Sequence, residues 1–269
     1  MTVSDVRPDT RPLALVTGAS SGIGLELAKQ FAVHGFDLVV NAEDERIEAA
    51  AIGLRASGVD VRAVRADLRT AHGLNRLETA VEALGRPIDA AALNAGVGQG
   101  GPFVENDLDA ELSIIDLNIT ATVRLAKWLL RDMAARDEGR ILVTSSIAST
   151  MPGSFQAVYN ASKSFLQSFT EALQSELRER NVTVTSLMPG PTETEFFHRA
   201  GMDDTKVGAS DKDDPAQVAA QGFEALMAGK DRVVGGGFGT KAQELANKVL
   251  PDRLKAAAHR RMAEPGSSG

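Results

Sequence analysis

The chain of 269 residues has no cysteine, which excludes disulfides and thiolate chemistry. Its four histidines, His34, His72, His198 and His259, are scattered with no pair at metal-ligand spacing, so no metal site is expected. No stretch approaches the roughly 20 apolar residues that span a bilayer. Met1 to Arg11 is polar, reads as a flexible terminus, and lacks an apolar signal core. A soluble, cytoplasmic protein is expected. Lys and Arg total 29 against 36 Asp and Glu, a formal net charge of -7. That balance argues against nucleic acid or an anionic membrane as the main partner. Aromatic residues make up 4%, with one tryptophan and a single tyrosine, Tyr159.

What is present is ordinary globular composition, 43% hydrophobic and 24% charged, enough for a sizeable core. Short apolar runs alternate with helical periodicity. Strands are expected over Leu13 to Thr17, Leu38 to Ala42, Val61 to Ala66, Asp89 to Asn94, Arg140 to Ser145, Val182 to Met188 and Arg232 to Val234. Helices are expected over Gly22 to His34, Asp44 to Ser57, Thr70 to Leu84, Asp107 to Arg136, Ala157 to Arg180 and Pro215 to Ala228. Such alternation with continuously apolar strands means a parallel sheet covered on both faces. The fold class is α/β, a doubly wound sheet of about seven strands. One catalytic-size domain, 12–239, is expected, with a long irregular segment from Pro189 to Asp214 that reads as a functional substrate lid or as disordered. The tail, 240–269, reads as one or two helices broken at Pro251. Its Lys241, Lys248, Arg253, Lys255, Arg260 and Arg261 read as a solvated face, with a lid or subunit contact as the alternative. The last five residues read as disordered.

Thr17-Gly18-Ala19-Ser20-Ser21-Gly22-Ile23-Gly24 joins the first strand to the first helix. Gly18 permits a tight turn, Gly22 lets the backbone approach a pyrophosphate, and Gly24 allows close packing of helix on strand. The helix N-terminus adds free N–H groups and partial positive charge. The context, after a buried strand and before an amphipathic helix, points to a nucleotide.

Tyr159 and Lys163 are four apart, on one helix face. A phenol beside an ammonium makes a proton donor, because the positive charge lowers the phenol pKa from near 10 toward working pH.

Together these motifs resemble the short-chain dehydrogenase/reductase family. The likeness continues through Asp67-Leu68, Asn94-Ala95-Gly96, Asn118, Ser146, Tyr159 with Lys163, and Pro189-Gly190 with Thr194, in order, from about Leu13 to Thr194. It implies a Rossmann-type domain that transfers hydride between a nicotinamide cofactor and a ketone or secondary alcohol. It implies further that Tyr159 donates the proton, Lys163 keeps the phenol acidic and holds the cofactor ribose, Ser146 steadies the carbonyl oxygen, and Asn118 fixes a water behind the lysine. Ser145 competes for the serine role, but the thirteen-residue gap to Tyr159 matches the family pattern at Ser146. Gly18, Ser20, Ser21, Gly22, Ile23 and Gly24 would hold the pyrophosphate, and Asp67, Leu68, Asn94, Ala95 and Gly96 the adenosine. Pro189, Gly190, Thr192 and Thr194 would meet the nicotinamide end. Asp67 could instead cap the helix that starts near Thr70.

Glu43 stands nineteen residues past Gly24, where a carboxylate binds the ribose 2′-OH of NAD and an arginine would accept the 2′-phosphate of NADP. NAD is favoured over NADP, although Arg46 is close enough to reach a phosphate. Val97, Met151, Phe155, Met188, Phe196 and Phe197 would wall an apolar pocket, so the expected substrate is neutral and lipophilic. Trp128 and Phe169 would be left exposed for pairing, which suggests a homodimer or homotetramer. Two alternatives stand beside this reading: an NADPH-dependent ketoreductase of acyl or polyketide-like chains, and a nucleotide-sensing protein without catalysis.

Overall fold

The computed structural model describes residues 11–268, so all but Arg11 of the expected flexible terminus lies outside the described residues. Seven strands form one parallel sheet in the order β3-β2-β1-β4-β5-β6-β7. They are β1 (Leu13–Thr17), β2 (Asp37–Ala42), β3 (Val61–Arg65), β4 (Ala90–Leu93), β5 (Gly139–Thr144), β6 (Val182–Pro189) and β7 (Arg232–Gly235). The chain reverses direction across the sheet between β1 and β4, so the loops that leave their carboxyl ends diverge. That is where α/β sheets open a ligand crevice.

Side-chain alternation sorts the strand residues between two cores. Ala14, Val16 and Leu142 join one cluster, with Leu27 and Phe31 of α1 (Gly22–Val33), Ile47 of α2 (Arg46–Arg55), and Phe223. Leu13, Leu15, Ile141 and Val143 join the other, with Leu77 of α3 (Ala71–Glu82) and residues of the long helix pair beneath. The sheet is therefore buried on both faces, as the near-continuous apolar strands require.

The long helix is continuous but not uniform. α4 (Leu108–Ile114), capped by Asp107 through the N–H of Ala110 (3.0 Å), runs into a π-helical turn, Ile115–Ala121, before α5 (Thr122–Arg136). Asn118 sits in that turn, fully buried. α6 (Ala157–Glu176) carries Tyr159 and Lys163.

The segment from Pro189 to Asp214 is more ordered than its composition suggested. It holds two short helices, α7 (Phe196–Arg199) and α8 (Lys206–Ala209). Its two ends are zipped together by Asp213 N to Pro191 O (2.8 Å) and Glu193 N to Asp213 O (2.9 Å). After α9 (Pro215–Met227) and β7 come α10 (Phe238–Val249) and α11 (Asp252–Ala263), broken at Pro251. Near the end of the described residues, Gly266 N and Ser268 N donate to the Asp204 carboxylate and carbonyl (2.9 and 3.0 Å). Lid and tail thus form one cap with its own small core of Phe197, Ala200, Met202 and Ala263. Among the described residues no helix is long and apolar enough to cross a membrane.

Candidate active site

A cleft of about 520 Å³ opens at the carboxyl ends of β1, β4, β5 and β6, under the cap. The glycine loop forms its floor. Gly18 and Gly22 have φ of +66° and +54°, values that favour a residue without Cβ. A Cβ on Gly24 would lie 2.1 Å from the Gly18 carbonyl oxygen, so α1 packs on the loop only because that position is glycine. Thr17 knits the two diverging loops: its hydroxyl accepts from Asn94 N (3.0 Å) and Ala95 N (3.1 Å). α1 begins at Ser21 with no side-chain cap, whereas α3, α4 and α9 are capped by Thr70, Asp107 and Asp214. The first N–H groups of α1 are therefore free to meet an anion. Free donors over a glycine floor, in a crevice at the sheet's reversal point, fit a dinucleotide.

Every residue expected to hold that cofactor lines the cleft: Gly18, Ser20, Ser21, Gly22, Ile23, Gly24, Glu43, Asp67, Leu68, Asn94, Ala95, Gly96, Tyr159, Lys163, Pro189, Gly190, Thr192 and Thr194. Asp67 does not cap α3. Thr70 does so, accepting from Gly73 N (2.9 Å), while the Asp67 carboxylate takes the backbone and side-chain N–H groups of Arg69.

Tyr159, Lys163 and Ser146 meet at the inner end of the cleft. Ser146 caps a short 3-10 turn, Ile147–Thr150, accepting from Ala148 N (3.0 Å), and its hydroxyl donates to Pro189 O (3.3 Å). Ser145, its rival, is committed elsewhere, donating to the Lys163 carbonyl (3.1 Å). Lys163 is buried, its ammonium donating to Thr144 O (2.9 Å) and lying 5.7 Å from the Tyr159 ring centroid.

Burial outweighs charge here. It pushes the phenol up to about 12, against a smaller lowering by Ser146. It brings the Lys163 ammonium down to about 8. The direction at Tyr159 is opposite to the one expected from a neighbouring lysine, because desolvation disfavours the charged form of both groups. Tyr159 is half-exposed along the cleft wall, yet enough protein surrounds its ring for that desolvation to dominate.

Asn118 does not line the cleft. Its amide clamps the Val97 backbone, accepting from Val97 N (2.9 Å) and donating to Val97 O (3.0 Å), and also donates to Ser162 Oγ (3.0 Å). The side chain is thereby fully engaged, and its visible work is to fix the loop after β4 against α6.

Of the expected substrate wall, Val97, Met151, Phe196 and Phe197 line the cleft, while Phe155 and Met188 do not. Phe155 has φ +62° and turns its ring under Arg260, whose guanidinium lies 5.4 Å from the ring centroid. Met188 is buried in β6. The tail supplies what the sequence reading missed. Lys255, Ala258, His259, Met262 and Ala263 line the cleft, at the i, i+3, i+4, i+7, i+8 spacing of one helix face. Lys255 is turned inward, donating to Thr150 O (3.0 Å) and pairing with Asp252 (2.9 Å). His259 Nδ1 faces Ser154 O at 3.0 Å, and burial lowers its pKa. Arg199, also missed, stands on the rim beside Asp44. Among the described residues no group of three or more His, Asp or Glu side chains gathers as a metal site.

The comparisons agree with this geometry. The sequence model of the short chain dehydrogenases matches residues 12–205. A 3-oxoacyl-acyl-carrier-protein reductase of Synechocystis is 34% identical over 67% of this chain and 74% of its own. A short-chain dehydrogenase from Sphingobium yanoikuyae, solved with NADPH, is 32% identical, with a TM-score of 0.76 over 83% of this chain and 87% of its own. One from Burkholderia phymatum, solved with NAD, is 25% identical, with a TM-score of 0.79 over 94% and 96%. With a serine, a tyrosine and a lysine converging beside an uncapped glycine loop, the chain belongs to the short-chain dehydrogenase/reductase family and is an NAD(P)-dependent oxidoreductase.

Proposed function

We propose that this protein reduces ketones with a largely apolar body, and oxidises the corresponding secondary alcohols, with Tyr159 as the proton donor and acceptor. The observation that carries the reading is the convergence of Ser146, Tyr159 and Lys163 on the cleft whose floor is the glycine loop. A nicotinamide bound there would supply or accept a hydride at the substrate carbon. Below pH about 8 the Tyr159 phenol and the Lys163 ammonium are both protonated, so the resting site holds the proton that a developing alkoxide needs. Ser146, which lines the same cleft as the phenol, is proposed to turn its hydroxyl from Pro189 O to the same oxygen and stabilise its charge. Lys163, held by Thr144 O, offers its remaining N–H groups to the phenolate left behind and to a ribose hydroxyl. Asn118 is proposed to act indirectly, by fixing Val97 and Ser162 around that lysine.

NAD(H) is the proposed cofactor, with Glu43 at the ribose. Three guanidiniums on the rim, Arg46, Arg69 and Arg199, are each already paired with carboxylates, and a 2′-phosphate would meet Glu43 and Asp44 on the cleft wall. Val97, Met151, Phe196 and Phe197 support a lipophilic substrate body. Trp128 and Phe169 pack against the core instead of standing free, but Leu108, Leu112, Ile115 and Phe165 are exposed on α4, the π turn and α6. Pairing of two copies through that face is proposed, in a cytoplasmic enzyme with access to nicotinamide cofactor.

Titration of the purified protein with NADH and with NADPH, read by nicotinamide fluorescence, tests the cofactor reading. Tighter NADH binding is expected. Tighter NADPH binding would favour the ketoreductase reading that the Synechocystis relative exemplifies.

A further inference from the structure

The rim beyond β2 and β3 carries four carboxylates and three guanidiniums in two ion-pair clusters, one of Arg69 with Asp67 and Glu43, the other of Arg46 and Arg199 with Asp44 and Glu195. Arg69 is gripped by Asp67 (2.8 Å) and by Glu43. Asp44 accepts from Ser20 of the glycine loop (3.1 Å) and from Arg46 Nη2 (3.1 Å) and Nε (3.2 Å). These contacts lie within the loop and the two strand-end turns. Glu195 is different, because it comes from the lid, 149 residues beyond Arg46. Both its oxygens accept from Arg46 Nη1 (2.9 and 2.8 Å), and Arg199 Nη2 donates to it at 3.0 Å while standing 3.7 Å from Asp44.

Arg46 is the base that could accept a 2′-phosphate. A phosphate monoester carries about 1.5 to 2 negative charges, and a guanidinium meets it best through two parallel N–H bonds. In this structure that capacity is spent: Nη1 is given to Glu195, Nη2 and Nε to Asp44. Asp44 is tied to its own turn by sequence proximity and by Ser20. Glu195 is the removable carboxylate. Without it two guanidiniums face the single carboxylate of Asp44, and Nη1 of Arg46 and Nη2 of Arg199 lose the carboxylate to which they donate.

We propose that Glu195 is a specificity-determining residue of the lid, withholding Arg46 from the 2′-phosphate of NADP(H) and so setting the preference for NAD(H). The inference rests on the nicotinamide reading above and extends it to a residue outside the β2 turn. It also links two parts of the active site: a dinucleotide that took Arg46 for its phosphate would unfasten the lid at Glu195.

The test is the ratio of dissociation constants for NADH and NADPH, measured by nicotinamide fluorescence on the wild type, Glu195→Gln, Glu195→Asp and the double variant Glu195→Gln/Arg46→Ala. Exposed ion pairs contribute little to stability, so the variants should fold. Glu195→Gln is expected to tighten NADPH about tenfold, a charge-assisted pair regained, and to move NADH by less than about threefold. Glu195→Asp should stay near the wild-type ratio, and removing Arg46 should abolish the gain. A Glu195→Gln variant that weakens both cofactors equally, leaves the ratio unmoved, or keeps its NADPH gain without Arg46 would overturn the proposal. Such a result with NADH still bound by the wild type would leave the cofactor reading intact. A wild type that binds neither dinucleotide would remove both.

Discussion

The sheet with its flanking helices and the cap formed by lid and tail are held by different physics. The sheet lies between two broad apolar clusters in which residues such as Leu15, Phe31, Ile141 and Leu142 are fully buried. The cap has four buried apolar residues of its own. It is fastened by polar contacts instead: Arg46 to Glu195, Thr240 to Asp213 (2.5 Å), Asn247 to Thr150 (3.1 Å) and Gly266 to Asp204 (2.9 Å). Apolar burial contributes about 25 cal/mol per Å² and keeps the sheet rigid, whereas single polar contacts, part-buried as at Thr240 and Asn247 or exposed as at Glu195, each contribute little net. The division suits the chemistry. The glycine loop and Tyr159 belong to the part held by apolar burial, and Phe196, Phe197 and the α11 residues proposed to meet the substrate belong to the more weakly held part.

Substitution in the rigid part should give the largest loss of stability. Phe31 is fully buried and meets Phe36 and Phe223 edge-on at 5.2 and 5.1 Å. Phe31→Ala should cost roughly 3–5 kcal/mol, seen as a large drop in denaturation midpoint with lid contacts untouched. A change of less than about 1 kcal/mol would erase the distinction drawn between the two regions.

The buried lysine gives the next effect, and it depends on pH. Its folded pKa, about 8, lies below the ordinary 10.5. Below pH 8 it is charged both folded and unfolded, and the cost of burying that charge is fully present. Between pH 8 and 10.5 the folded state releases its proton first, so stability rises with pH by linkage. In protein prepared without cofactor, Lys163→Met should lack this rise, so the wild type gains on the variant across that window by up to roughly 3 kcal/mol. Parallel pH profiles of the two melting curves would contradict the burial account of Lys163.

Change in the cap should barely touch stability and should move substrate use. Removing α11 with the residues after it deletes Lys255, His259 and Met262 from the cleft wall. KM for ketone substrates should rise about tenfold or more as packing and positioning are lost, while NADH affinity shifts by less than about threefold. Loss of NADH binding in the truncated chain would show that the cap also builds the dinucleotide floor.

The legible parts of the sequence were those whose reason is local. A tight turn, a close approach and a helix start must be spelled in consecutive residues, so Gly18, Gly22 and Gly24 could be read directly. The strands could be read from their unbroken apolar runs. Tyr159 and Lys163 share one helix face, and that too is a local fact. Contacts between distant segments were not legible. Nothing near Arg46 announces Glu195, and nothing near Thr150 announces Lys255. The α11 face has helical spacing, but Lys255 and His259 interrupt its apolar stripe, so a solvated basic face is its default reading, with a lid or subunit contact as the alternative. Phe155 and Met188 fail as wall residues for backbone reasons, one turned away by a left-handed φ, the other fixed in the sheet. The phenol pKa was misjudged because charge proximity shows in a sequence and desolvation does not.

Turnover of Tyr159→Phe, measured beside its NADH affinity and its melting temperature, tests the central claim most directly. The substitution removes one oxygen and leaves the shape. The account predicts a fall in kcat of about 100-fold or more, with NADH affinity and melting temperature close to wild type. A variant that binds NADH normally and keeps most of its turnover would show that the proton comes from elsewhere, and would contradict the assignment of Tyr159.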